Sequence, residues 1–217
     1  KNSSTPYIYN VKDGEANIYA QLRYDMRLRT TGLVSFSTYA PNEYSMIRDY
    51  GYEAGKTSIL TSGTYVGDEF IAYETMYYTN VLMPEAISVV DVNTGEYKRK
   101  KLIESDGTAP LILDEMTYDP KTDKIFATHY DSQLNTTDLY EIDKTTLDIK
   151  KVAVLDVALY TLSADNGYLY GVFMSNDGRA SKLAKIEEST IDENKQTANL
   201  QTVSPNNGIG LTMGDYS

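Results

Sequence analysis

Residues 116–155 read Met116-Thr-Tyr-Asp-Pro-Lys-Thr-Asp-Lys-Ile-Phe-Ala-Thr128 and, after a polar stretch, Asp138-Leu-Tyr-Glu-Ile-Asp-Lys-Thr-Thr-Leu-Asp-Ile-Lys-Lys-Val-Ala-Val-Leu155. Four short runs rich in β-branched and aromatic residues alternate here with turn residues, which predicts four strands. Strand A is Met116–Asp119, turning at Pro120–Asp123, and strand B is Lys124–Thr128, leading into a loop over Asp131–Thr137. Strand C is Asp138–Ile142, turning at Asp143–Asp148, and strand D is Ile149–Leu155. Pro presets φ in such turns, while Asp and Asn cap them through side-chain bonds and tolerate positive φ. Ile125, Phe126 and Ala127 are consecutive apolar residues, as a sheet covered on both faces requires.

Working outward, the same arrangement recurs. Gly67-Asp-Glu-Phe-Ile-Ala72 is followed by Ile87-Ser-Val-Val-Asp-Val-Asn-Thr-Gly-Glu-Tyr97, and Asn166-Gly-Tyr-Leu-Tyr-Gly171 by Leu183-Ala-Lys-Ile-Glu-Glu-Ser-Thr190. A fainter copy precedes them, Glu15-Ala-Asn-Ile-Tyr-Ala20 with Gly32-Leu-Val-Ser-Phe-Ser37. Ala72 to Ala127 is 55 positions and Ala127 to Gly171 is 44. Repeats of roughly 40–50 residues, each holding four strands, are the signature of propeller blades. The expected fold is therefore all-β, a β-propeller with about four four-stranded antiparallel blades, spanning 1–60, 61–112, 113–156 and 157–203.

The quoted repeat resembles that of exported bacterial YVTN/kelch-like β-propellers over residues 14–203, most closely over 64–188. The resemblance implies a fold and an exported location, periplasmic, cell-surface or extracellular; it supplies no catalytic residues. Residues 204–217 align with the lead-in to strand A of the 113–156 unit. The chain is thus expected to be part of a larger ring of about six to eight blades. The remaining blades or a partner chain would complete it. Lys1 stands where a leader, if one existed, would already have been removed.

Composition narrows the chemistry. The chain has 217 residues, a net charge of −11, no Cys, one His and 20 Tyr. The absence of Cys excludes disulfide staples, thiolate metal sites and Cys nucleophiles. With His129 alone, an ordinary zinc site lacks its ligands. The acidic balance argues against nucleic acid, and the one dense basic run, Lys98–Lys101, reads as the solvated outer edge of a strand. No apolar run approaches the ~18 residues of a membrane helix. Dinucleotide and P-loop motifs are absent, as is the nucleophile elbow of serine hydrolases. The Asp-rich turns 91–96, 119–123 and 143–148 do not follow an EF-hand loop. No cofactor or metal is expected.

Alternating strand direction sorts the connections. Short A–B and C–D turns share one face; B–C loops and D-to-A crossings share the other, over 24–31, 75–84, 104–115, 129–137, 173–180 and 204–217. Long loops on a rigid scaffold are where binding concentrates. The first of these, with the residue before it, contributes Arg23, Tyr24 and Arg27, and the second Tyr77 and Tyr78. Asp114, Glu115, His129, Tyr130 and Asp131 surround the innermost strand of the third unit, and Arg179 and Tyr216 come from the last loops. Aromatic residues with Arg and carboxylates suit recognition of a glycan, peptide or protein partner by a non-enzymatic module. The alternative is a carbohydrate-active hydrolase or lyase, with Asp114, Glu115 and Asp119 as candidate carboxylates. Asp119 has a counterpart in Asp165 and reads as a turn residue. If the enzyme reading holds, a perturbed carboxyl pair should appear on this face; if the binding reading holds, Tyr and Arg should cluster there without one.

Overall fold

The computed structural model describes residues 5–12, 15–24, 28–37, 39–49, 52–53, 56–78, 81–102, 112–174 and 181–203. Of the expected site, Arg27, Arg179 and Tyr216 lie outside these residues, and for Arg23, Tyr24, Tyr77 and Tyr78 the backbone alone is described. The chain divides into two compact units, residues 1–112 and 113–217. Each holds two antiparallel meander sheets.

In the first unit, β1 (Thr5–Lys12), β2 (Glu15–Tyr24), β3 (Leu28–Ser37) and β4 (Ala40–Asp49) pair in sequence order. A second sheet follows with β5 (Tyr52–Glu53), β6 (Lys56–Val66), β7 (Glu69–Tyr78), β8 (Val81–Asp91) and β9 (Tyr97–Lys101). The expected division at 60/61 falls inside β6; the sheets divide between Asp49 and Tyr52 instead. Leu33, Leu60, Phe70, Ala72 and Val90 form the core of this unit, with Ile47 and Tyr97 against it.

In the second unit, β10 (Glu115–Asp119), β11 (Lys124–Asp131), β12 (Thr136–Ile142) and β13 (Ile149–Leu155) form the sheet anticipated from residues 116–155. The last sheet has β14 (Ser163–Asp165), β15 (Tyr168–Met174), β16 (Ser181–Glu187) and β17 (Leu200–Thr202), with a 3-10 turn at Glu188–Thr190 between its last two strands. Phe126, Leu139, Leu159, Leu169, Phe173 and Ile186 close a core between the two sheets. Ile125, Phe126 and Ala127 are all buried, so both faces of β11 are covered as their sequence required.

Two expectations change. The B–C connections are shorter than the long irregular loops read from sequence. β7 and β8 stay paired out to Tyr78 and Val81, and β11 and β12 out to Asp131 and Thr136. Continuing the ladder satisfies backbone groups that a loose loop would leave to water. Residues 132–135 then suffice for the turn: Asp131 Oδ1 accepts from the amides of Gln133 (2.8 Å) and Leu134 (3.1 Å), and Asn135 takes a positive φ of 56°. The basic run on β9 is also less solvated than expected. Arg99 donates through Nε to buried Glu74 (2.7 Å) and through its other arm to Glu85 (2.8 Å). A fully buried carboxylate demands such a partner, and a planar guanidinium supplies it at two points.

The C–D turns are the most exact expression of the repeat. Asp91 and Asp143 each open a six-residue turn, receiving two amides on Oδ1 and closing N–H to C=O at 3.0 Å onto Glu96 and Asp148. Asp192 does the same with Thr197, at 2.8 Å. In the fourth sheet, then, the equivalent turn is Asp192–Thr197 and not residues 187–190, because the Glu188–Thr190 segment is inserted ahead of it.

Candidate functional site

One group of the expected site residues converges at the end of β10. Leu113, fully buried, anchors the segment entering that strand. The Asp114 amide then donates to Thr128 O (2.8 Å), which continues the β10–β11 ladder by one residue. Asp114 Oδ2 accepts the Tyr130 amide at 2.7 Å and lies 3.8 Å from His129 Nδ1. Glu115 follows, paired in register with Thr128. Asp114, Glu115, His129 and Tyr130 thus lie together at this end of the β10–β11 pair. Asp131 is not part of the group: its carboxylate is spent on the 131–135 turn.

The fifth member is Tyr160, which sequence reasoning missed. Its ring centroid stands 6.3 Å from that of Tyr130, tilted by 52°, and half of its surface is exposed. Tyr160 sits on the connection from β13 to β14, and its place there is set by Thr137. That residue is fully buried; its hydroxyl donates to Val157 O (2.8 Å) and accepts the Leu159 amide (2.9 Å). The Tyr160 amide next bonds Val172 O at 2.8 Å, so the connection is held from both sides. A signal was available in the alternation of buried Leu159 and Leu162 about an exposed Tyr. It could be read only once the crossing was known to run beside β11.

The electrostatics separate this group from the other acidic residues. Burial pushes the Glu115 carboxyl up to about 7, and the neighbouring Asp114 charge adds to the shift. Asp114 is raised for the same first reason, while the Tyr130 amide and His129 oppose it. Among the described residues no hydrogen bond or ion pair engages the Glu115 side chain. The surface carboxylates at turns behave oppositely. Asp91, Asp143 and Asp192 lie below their usual range because amide and side-chain donors stabilise the anion. A buried carboxyl near neutrality can exchange a proton or accept a hydroxyl.

Asp119, the third candidate carboxylate, is fully buried on the opposite end of β10 and serves a turn, with Oδ1 accepting the Lys121 amide at 2.7 Å. No group of three or more His, Asp or Glu side chains poised to hold a metal occurs among the described residues.

No protein-family model matches the chain, and no curated protein shows significant similarity to it. Solved structures do. An exo-β-1,3-galactanase from Clostridium thermocellum is 12% identical with a TM-score of 0.56, covering 92% of this chain and 48% of its own. An oligogalacturonate lyase from Vibrio parahaemolyticus is 11% identical with a TM-score of 0.53, covering 89% and 51%. TolB from Acinetobacter baumannii is 17% identical with a TM-score of 0.50, covering 87% and 41%. These are β-propeller proteins, and with the four meander sheets they define the class: the fold is that of a β-propeller. At such identities the likeness concerns the fold alone. The chain spans about half the length of these structures.

Proposed function

We propose that this chain is part of an exported propeller of the YVTN/kelch-like kind that recognises a glycan at the Asp114–Glu115–Tyr130–Tyr160 group. The observation that carries the reading is the tilted Tyr130–Tyr160 pair at the end of β10, where Asp114 accepts the Tyr130 amide and Glu115 follows it in the strand. Aromatic faces cover the apolar face of a sugar ring, and carboxyl oxygens accept its hydroxyls; a few convergent polar groups on an apolar floor is how small-ligand sites orient their occupants. His129 lies at the rim, within reach of Asp114. Export to the periplasm, cell surface or medium belongs to the same proposal.

A second reading has one specific observation in its favour. Glu115 raised to about 7 is poised for acid–base work on a glycosidic bond, as a hydrolase or lyase requires. The galactanase and the lyase among the similar structures support carbohydrate as the ligand class only distantly. A peptide or protein ligand lacks an equivalent observation.

A glycan array probed with the full chain, alongside product analysis on the bound polysaccharides, separates the readings. Binding that Tyr160→Ala abolishes, without turnover, supports the recognition module. Turnover that Glu115→Gln abolishes while binding persists supports the enzyme. Absence of any glycan signal overturns both.

A further inference from the structure

At the other end of β10, away from the proposed sugar site, two acidic side chains meet on the seam between the β10–β13 and β14–β17 sheets. Asp119 is fully buried, and its oxygens take backbone amides, Lys121 N on Oδ1 (2.7 Å) and Gly167 N on Oδ2, with the Thr122 amide also stabilising the anion. Glu188, contributed by the inserted 3-10 turn, is nine-tenths buried. Its amide donates to Gly167 O at 3.0 Å, so both acids grip the same 166–167 turn from opposite sheets. Neither Glu188 oxygen receives an N–H, and both are sealed from solvent together with the Thr122 hydroxyl. Two further bonds share the seam, Ala164 N to Thr117 Oγ1 (3.0 Å) and Lys121 Nζ to Asn166 O (3.0 Å).

We propose that Asp119 and Glu188 share a single proton and that this proton is a pH-sensitive latch on the seam. Two buried carboxylates at one point repel each other and cannot both ionise without a compensating charge. Nearby cations supply it only in part: Lys121 is turned to Asn166 O, and Lys124, whose charge favours the Glu188 anion, is held by Glu141 at 2.7 Å. Glu193 is engaged by Lys150, and Asp123 by Lys144. One proton on Glu188 satisfies every orphaned atom. The protonated carboxyl donates to Asp119, which stays ionised on its backbone amides, and Thr122 Oγ1 donates to the remaining Glu188 oxygen. When the proton leaves to solvent, the donor is lost and two anions face each other across the seam.

The titration directions agree. Burial, with Asp119 adding to it, raises Glu188 to about 7 against the opposing pull of the Thr122 hydroxyl and the Lys124 charge. Burial also works to raise Asp119, but the Gly167 and Lys121 amides outweigh it and hold that carboxyl below its usual range. A raised acid stabilises the fold fully below its unfolded pKa and loses that contribution as pH rises through the folded value. For Glu188 the loss falls between about pH 4.5 and 7.

Thermal unfolding of the full chain from pH 5 to 8.5 tests the latch. Gln at position 188 keeps both the donor to Asp119 and the acceptor for Thr122 without a titrating proton. Glu188→Gln is therefore expected to match the wild type near pH 5 and to exceed its Tm by about 5 °C at pH 8. Parallel curves across the range would overturn the proposal. Glu115 titrates in the same region, so Glu115→Gln serves as the control, its effect adding to that of Glu188→Gln. Carbonyl-labelled NMR of the wild type gives a readout independent of variant folding: a glutamate carboxyl with a midpoint near 7 that vanishes in Glu188→Gln. If that resonance titrates in the ordinary range, or if calcium or magnesium raises the wild-type Tm at pH 8 but not that of Glu188→Gln, a shared proton is the wrong occupant.

Discussion

Glu115 and Gly95 show how much a single position decides. Burial of Glu115 disfavours its charge, so the folded chain holds this proton more tightly than the unfolded one does. Its stabilising contribution is complete below about pH 4.5 and gone above about pH 7. Glu115→Gln should accordingly unfold at a higher temperature than the wild type above pH 7, with the difference closing toward pH 5; scanning calorimetry across that range checks it. Gly95, Leu147 and Gln196 occupy one place in three equivalent turns, at φ of 72°, 58° and 53°. Leu147 offsets the left-handed conformation by burying its side chain. At Gly95 an added Cβ would stand 3.0 Å from Ile47 O with no such gain. Gly95→Ala should cost about 1–2 kcal/mol in urea denaturation.

At the scale of elements, the connection from β13 to β14 is what turns a sheet end into a site. It is not a strand, and its course depends on Thr137 bonding Val157 and Leu159 and on Gly171. A Cβ on Gly171 would lie 2.4 Å from Thr161 O and 2.7 Å from Leu159 Cδ1, so nothing larger fits beneath the crossing. Thr137→Val keeps the shape of the side chain but strands a buried carbonyl and a buried amide. We expect it to cost about 2 kcal/mol of stability and to weaken glycan binding together with it, because Tyr160 loses its support. Chemical denaturation read beside array binding distinguishes this from Tyr160→Ala, which should remove binding at little cost in stability.

Across the whole molecule the net charge of −11 bears on the ligand. Surface potential raises the local concentration of opposite charge and repels like charge, and salt screens both within roughly 10 Å at 0.1 M. A neutral glycan should therefore bind with little dependence on ionic strength. A polyuronate should bind weakly at low salt and improve as salt is added. Titration calorimetry at two salt concentrations reads the difference directly.

The strands were legible because period, turn chemistry and apolar runs are local: Met116 through Leu155 announce four strands before any neighbour is known. The Asp-headed turns were equally local, since an Asp carboxylate caps amides two and three residues on. Legibility failed wherever a residue's role depends on what faces it. Arg99 looked like a solvated edge residue until Glu74 and Glu85 were found opposite it. The inserted Glu188–Thr190 turn hid behind a superficial match to the preceding repeat. Sequence alone determined that the chain would form repeated meander sheets. Tertiary packing alone decided which acids lost their solvent, because desolvation is set by neighbours distant in the chain: at Glu115 it leaves a carboxyl able to work near neutral pH, and at Asp119 and Glu188 it leaves two acids with a single seam to share.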